Sequence, residues 1–370
     1  MKKTAFLIRL LSILITASIS AQAQKILTGP LPGNAPNQNV LASLSSLPEA
    51  DALLYFNPQR ILNEAAPRLM AEKDLAEMRK SFEELKKNVG VDPAKVEYLV
   101  IATRFRKPAA DLSFAPPEFL VVAGGDFSAD SLLTLAKLAA GEKLRDEKYG
   151  SKTLGVMTID PIVKEAEKNP ILRAYSEIGI VGLNQTTIAV GSIPYLKAAI
   201  DAGAGNGRIT TANLNSLLRD PTVLISAAGS PWSSFSKSFG LRGTEANARA
   251  PRCDTQLGDF YASVTMDSTN FLLRGSMNAD NPDTAKIFTN LISGLMRQAS
   301  SIPDVSVQSA LKSVSITADE NDVVVRADVP QQVVLDFIKK QSMQKKPEPA
   351  ADKPVTPVKK QPVRRKRKRA

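Results

Sequence analysis

The feature that most limits what this chain can fold into is an order of elements that occurs twice. Period-two runs of branched and aromatic residues mark Glu97 to Phe105 (EYLVIATRF) and Glu118 to Gly124 (EFLVVAG) as strands. A helix is predicted from Ser128, with Leu132, Leu133, Leu135, Ala136 and Leu138 as its apolar face and Asp126 or Ser128 as its N-cap. Gly179 to Leu183 and Thr187 to Gly191 then flank Asn184-Gln185 as a hairpin, and Pro194 suits the first turn of a helix reaching Ala202. The second half repeats this. Asp259 to Met266 and Phe271 to Met277 flank the turn DSTN, and Asn281-Pro282-Asp283 opens a long helix through Ile287, Phe288, Leu291, Ile292, Leu295 and Met296. Lys312 to Ala318 and Val323 to Asp328 flank a DEND turn, and Pro330 begins a final helix with Val333, Val334, Phe337 and Ile338 facing the core.

Each half also opens alike. LPEADALLYFNPQRIL (47–62) and LLRDPTVLISAAGSPWSSF (217–235) each place a short apolar strand before a break, a proline and a helix. The expected fold is α+β: a duplicated strand–helix, hairpin–helix, hairpin–helix unit. Its sheets are antiparallel, with helices on one face as a two-layer sandwich. The halves are predicted at 48–205 and 206–343, joined near Gly203-Ala204-Gly205-Asn206-Gly207. A helix pair within 58–88 and a short helix near 162–173 are additions to the first half.

Charge separates the ends from the body. The formal net charge of the 370 residues is +11. Residues 1–23 hold Lys2, Lys3 and Arg9 without an acid, and residues 344–370 hold 11 basic and 2 acidic residues. The part between them carries a net charge of −1, so a pI near 9.6 describes the ends and not a basic fold surface. Residues 1–23 read as a signal peptide: a charged start, an apolar run to Ile19, and Ala21-Gln22-Ala23 for cleavage before Gln24. The apolar run is shorter than the roughly 20 residues a membrane span needs. Residues 24–47, rich in Pro, Gly, Asn and Ser, are expected to be a disordered leader. The tail from 344 carries prolines at 347, 349, 354, 357 and 362, which favour extended chain; at about 3.1 Å per residue it reaches roughly 80 Å. It ends in six consecutive cations, Arg364, Arg365, Lys366, Arg367, Lys368 and Arg369. Such a block attracts polyanions by counterion release, and on an exported chain those are anionic lipid or envelope polymer. Nucleic acid is not the expected partner, because the body lacks a basic surface. A solvated tail that only aids solubility is the plainer alternative.

Composition removes whole classes of chemistry. The chain has no histidine and one cysteine, Cys253. Ser-His-Asp and Cys-His catalysis, His-ligated zinc, haem ligated by His, and Cys-based clusters are therefore excluded, and no cofactor or metal is expected. Cys253 is either a free thiol or half of an intermolecular disulfide. GAGNG at 203–207 follows a helix, where a dinucleotide loop must follow a strand, so a C-cap and linker are expected and no nucleotide. Gly124-Gly125-Asp126 lacks the third glycine and reads as a strand-to-helix turn. Ser234-Phe235-Ser236-Lys237 and Ser309-Ala310-Leu311-Lys312 have the S-x-x-K spacing of serine enzymes whose lysine accepts the nucleophile's proton. Ser276-Met277-Asn278 fits the S-x-N element loosely, and K-T-G is missing. Paired carboxylates remain open, since only distances in space test them.

The stretch Pro231 to Gly243 (PWSSFSKSFGLRG) holds the only tryptophan. Trp232, Phe235 and Phe239 recur at helical spacing, with Lys237 and Arg242 beside them. Either the aromatics pack on the sheet, or the five residues form an exposed aromatic and basic lip for a ligand, glycan or lipid surface. As a pattern of elements over 48–343, the chain resembles uncharacterised exported bacterial proteins built from repeated β-hairpin–helix units; the resemblance transfers no site and no activity. The expected function is an exported, non-catalytic binding or envelope-associated protein, periplasmic or secreted, tethered by its tail. A cell-envelope hydrolase using Ser/Lys or paired carboxylates is the alternative. A protein partner or a second copy of the chain is a further expected contact, which a large exposed apolar patch would mark.

Overall fold

The computed structural model describes residues 38–89, 92–106, 116–158, 175–220, 222–230, 257–299 and 305–344. Among them, twelve strands form one antiparallel sheet: β1 (Ala52–Phe56), β2 (Val96–Arg104), β3 (Glu118–Gly125), β4 (Leu144–Tyr149), β5 (Lys152–Thr158), β6 (Glu177–Asn184), β7 (Thr187–Gly191), β8 (Ile225–Gly229), β9 (Leu257–Met266), β10 (Asn270–Ala279), β11 (Val314–Asp319) and β12 (Asp322–Pro330). The order is β11-β12-β10-β9-β8-β1-β2-β3-β7-β6-β5-β4. Outward from the β1–β8 pair, the strands run β2, β3, β7, β6, β5, β4 on one side and β9, β10, β12, β11 on the other. On each side a helix leaves the third strand; after it β11–β12 returns directly beside β10, whereas β4–β5 intervenes at the sheet edge before β6–β7 returns beside β3.

The described helices are α1 (Gln38–Leu44), α2 over 58–69, α3 (Glu72–Val89), α4 (Ala129–Ala140), α5 (Ile193–Gly203), α6 (Thr211–Leu217), α7 (Pro282–Ala299), α8 (Val305–Lys312) and α9 (Gln331–Gln344). Their starts follow local capping chemistry. The backbone N–H of Arg60 donates to Asn57 Oδ1 (3.1 Å) ahead of Pro58, that of Ser131 to Ser128 Oγ (3.2 Å), and that of Thr284 to Asn281 Oδ1 (2.8 Å). Inside α2, Ile61–Ala65 is a π-helical turn.

The helices lie on both faces of the sheet, which corrects the expectation of helices on one face. On β6, the Cα of Gly179 faces Leu196 and Ile193 of α5, while Gly182, an odd number of residues on, faces Ala129 of α4. On β4, Glu147 pairs with Lys197 of α5 (2.7 Å), whereas neighbouring Asp146 pairs with Lys137 of α4 (2.8 Å). Successive residues of a strand point to opposite faces, so the two helices are on opposite sides. The large core is on the α5 side. It joins Leu53, Tyr55, Tyr98, Val100, Leu120, Val122, Leu154 and Val156 of the sheet to Val40 and Leu44 of α1, Tyr195 and Leu196 of α5, and Leu214 and Leu217 of α6. The other face carries Ile101, Phe119, Val121 and Ile178. Farther along, α7 packs Ala285, Phe288 and Ile292 on Ala279, Val323 and Ile316.

Two further expectations are revised. The leader was expected to stay unstructured to residue 47, but Gln38–Leu44 is helical and Val40, Leu44 and Leu47 are buried in the main core. Val40 and Leu44, one turn apart on a short helix, and Leu47 just beyond it outweigh the polar composition around them. The hairpin β4–β5 is an unforeseen addition at the sheet edge. Its outer strand, LRDEKY, is mostly charged, which suits a strand with no further neighbour. The short helix expected near 162–173 lies outside the described residues, as does the cleavage site.

Burial also sets the tyrosine chemistry. Desolvation, then Glu97 and Tyr98, push the Tyr55 hydroxyl up to about 12, and desolvation, then Glu118, does the same for Tyr175. Tyr195 and Tyr261 are raised chiefly by burial, and Tyr149 by its hydrogen bond to Asp201. At pH 10.5 an unfolded chain has roughly three quarters of its tyrosines ionised. The native protein is expected to show a far smaller tyrosinate absorbance at 295 nm, with the remainder appearing only on unfolding. A phenol whose pKa is raised on folding contributes stability that is fully present below the unfolded value near 10 and is lost as pH rises through the folded value. For Tyr55 that window is pH 10 to about 12, and the loss amounts to about 2–3 kcal/mol. Equal native and denatured absorbance at pH 10.5 would contradict this.

Candidate functional site

On the face of β10, β12 and β11 opposite α7 lies an open cleft of about 360 Å³. Arg274, Ser313, Ser315, Arg326 and Asp328 line it. The ladder explains how they meet. Arg274 on β10 is directly opposite Arg326 on β12, and Ser315 on β11 is opposite Arg326 on its other side. Directly paired residues point to the same face, so one row across three strands presents Ser, Arg, Arg. Ser313 adds a wall where α8 runs into β11; its hydroxyl donates to Ala310 O (2.7 Å).

The two arginines differ in what holds them. Arg274 Nη1 pairs with Asp328 Oδ1 (2.6 Å) and donates to the carbonyls of Leu273 (2.9 Å) and Ala327 (3.1 Å). Among the described residues Arg326 has no ion pair and no hydrogen bond through its guanidinium, and its side chain is exposed. Like charges directly opposite on neighbouring strands cost about 0.2–1 kcal/mol, and a single carboxylate balances two guanidinium groups here.

The ladder of β3 and β7 offers a contrast with that of β10 and β12. Gly124 opposite Thr187 ends one ladder and Asn278 opposite Asp322 the other. Four residues in from these ends stand Leu120 opposite Gly191 in the first half, and Arg274 opposite Arg326 in the second. Leu120 is fully buried in the core that α5 completes. The chain leaves β7 for α5 at Ser192, whose N–H donates to Phe119 O (3.0 Å), and α5 folds back over the sheet. In the second half β12 runs on to Pro330, and α9 then packs on α8 and the end of α2. The face is thus left open over the arginines. Neither arginine is conspicuous in the sequence alone; only the strand register brings them together.

The sites expected from sequence are placed as follows. Trp232, Phe235, Lys237, Phe239 and Arg242 lie outside the described residues, as do Cys253 and Arg364, Arg365, Lys366, Arg367, Lys368 and Arg369. So does Ser234, and with it the first S-x-x-K. The second, Ser309 to Lys312, is on α8; Ser276 is on β10, fully buried, its hydroxyl without a hydrogen-bond partner. GAGNG is a helix end and turn, with φ of +105° at Gly205 and +66° at Gly207. Gly124-Gly125 ends β3, and Ser128 is the cap of α4, while Asp126 pairs with Lys95. Among the described residues no group of three or more Asp, Glu or Cys is placed to hold a metal.

Two other features stand out. Glu118 is almost wholly buried, accepts from Arg104 Nε (2.9 Å) and Nη2 (2.6 Å), and pairs with Arg106. Arg104 in turn stacks 4.6 Å from the Tyr195 ring. This network fastens β2 to β3 beneath α5. On α7, Ile287, Leu291 and Leu295, one turn apart, are each more than half exposed, beside the stripe that packs on the sheet. No described helix is long and apolar enough to cross a membrane.

Together these define the class: an α+β protein on one large antiparallel sheet, with a small arginine-lined cleft. No protein-family model matches the sequence, and no curated protein matches it. Among solved structures it is similar to TP0453. Crystal form III of TP0453 matches at 12% identity and a TM-score of 0.41, covering 84% of this chain and 100% of that one. Crystal form IV matches at 10% and 0.39, covering 80% and 95%.

Proposed function

We propose that this is an exported, non-catalytic binding protein of the cell envelope, with a duplicated α+β body and a basic tail that tethers it to an anionic surface. The observation that carries the reading is the segregation of charge. The body is near neutral, while Arg364 to Arg369 form a continuous cationic block beyond a proline-rich stretch. Six such residues near an anionic membrane contribute about 1 kcal/mol each at low salt. The duplication is supported by the like order of the four strands next to β1–β8 on either side, β5 and β4 being extra on one of them. Export is supported by the leader sequence at 1–23.

The test is a salt titration of binding to vesicles containing anionic lipid, to anionic envelope polymer and to DNA. Residues 24–370 are compared with a form ending at Met343. The full form is expected to bind lipid or polymer, to lose affinity steeply as salt rises, and to bind about a hundredfold or more tighter than the shortened form. Equal binding by both forms, or none by either, defeats the tether. Preference for DNA over the other two defeats the envelope assignment.

A second reading, an assembly subunit, is favoured by the exposed stripe Ile287, Leu291 and Leu295.

A further inference from the structure

We infer that the cleft over β10, β12 and β11 is a binding site for a small oxyanion, a phosphate monoester or a carboxylate, held by Arg326 and Arg274. The inference deepens the reading of the body as a binding body and rests on it; the tail takes no part.

The geometry is that of a prepared but uncompensated site. Arg326 stands on the sheet with its guanidinium unpaired, beside an arginine that already has its carboxylate. A guanidinium offers a planar fork of donors that fits two oxygens of one anionic group. Ser315, its cross-strand neighbour, supplies a hydroxyl at the same level. The carbonyl end of α8 borders the cleft at Ser313, which disfavours an anion there and places the ligand's charged group toward Arg326. Asp328 opposes the anion, so the site has a built-in competitor for Arg274. A volume near 360 Å³ is at the small end of ligand pockets and suits a metabolite-sized molecule, not a polymer. The row four residues in from the end of the β3–β7 ladder, Leu120 and Gly191, is by contrast in a core closed by a helix, whereas Arg326 is exposed.

The experiment is isothermal titration of the full chain, residues 24–370, with glycerol 3-phosphate and separately with succinate, in a phosphate-free buffer of low ionic strength. One probe or both should bind saturably, and which one does so identifies the source of the oxyanion. Arg326→Gln should weaken binding on the order of tenfold or more, by removal of a charge-assisted fork. Asp328→Asn should tighten it several-fold, a gain that a merely structural residue does not give. A chain in which Arg364 to Arg369 are all replaced by Gln should bind the probes as the parent does, even if it no longer binds vesicles; the cleft and the tether therefore fail separately. No saturable binding of either probe overturns the proposal. So does unchanged affinity in Arg326→Gln, or loss of binding only when the tail block is replaced. Because Arg326 is exposed and faces a like charge, its variant should keep the parent's unfolding midpoint or raise it slightly, and that measurement guards the comparison.

Discussion

Gly229→Ala is expected to destabilise the protein by about 4 kcal/mol or more, enough to leave much of it unfolded at 37 °C if its total stability is of ordinary size. Gly229 ends β8, opposite Ala52 of β1, at the junction of the two halves of the sheet. A Cβ there would stand 2.2 Å from the carbonyl oxygen of Asp51 and 2.7 Å from the Cα of Ala52. Both are backbone atoms, so no side chain can turn aside to make room. The backbone at Gly229 has φ of +155°, which L-residues rarely adopt, so the strain remains even if the strands part slightly. Urea unfolding followed by circular dichroism measures the loss. A midpoint equal to the parent's would show that the strands separate at no cost.

The second large effect is at Tyr195, the largest fully buried side chain of the described residues. Its ring fills the core between α5 and the sheet, and its hydroxyl donates to Glu49 O (2.8 Å). Tyr195→Ala should cost about 4 kcal/mol through lost burial and the cavity that remains. Tyr195→Phe keeps the ring, and with it the stacking of Arg104, but leaves the Glu49 carbonyl without its donor; about 1–2 kcal/mol is expected. The ratio of the two losses is the diagnostic quantity. If Phe costs as much as Ala, the hydrogen bond and not the packing holds the N-terminal segment to α5.

The hairpins were readable in the sequence because period-two patterning and turn residues coincide at 184–187, 266–270 and 318–322. Helix starts at Ser128 and Asn281 were readable because a capping side chain precedes an apolar stripe. The side of the sheet each helix takes was not readable. It depends on how each connection turns at the strand end, and Leu132 and Leu196 look equally suited to either face. The β4–β5 hairpin was hidden because LRDEKY buries almost nothing and so has no alternation to show. The cleft was hidden for a different reason. Arg274 and Arg326 each follow a short apolar run in a strand with other polar residues, and only the ladder of β10 and β12 sets them side by side. The aromatic segment from Trp232 to Arg242 and the terminal cations rest on sequence alone, which is why the tail is tested by truncation.

The place of β1 at the middle of the sheet has a kinetic consequence. Its partners are β2, about 45 residues on, and β8, about 175 residues on. Four of the nine remaining pairings, β4–β5, β6–β7, β9–β10 and β11–β12, are hairpins closed by turns of a few residues, and such local contacts form fastest. The seam between β1 and β8 therefore closes late, after nearly two thirds of the chain has been synthesised. A chain that crosses a membrane before folding would reach the far side with two half-sheets able to form early and the joint between them waiting for the second to arrive.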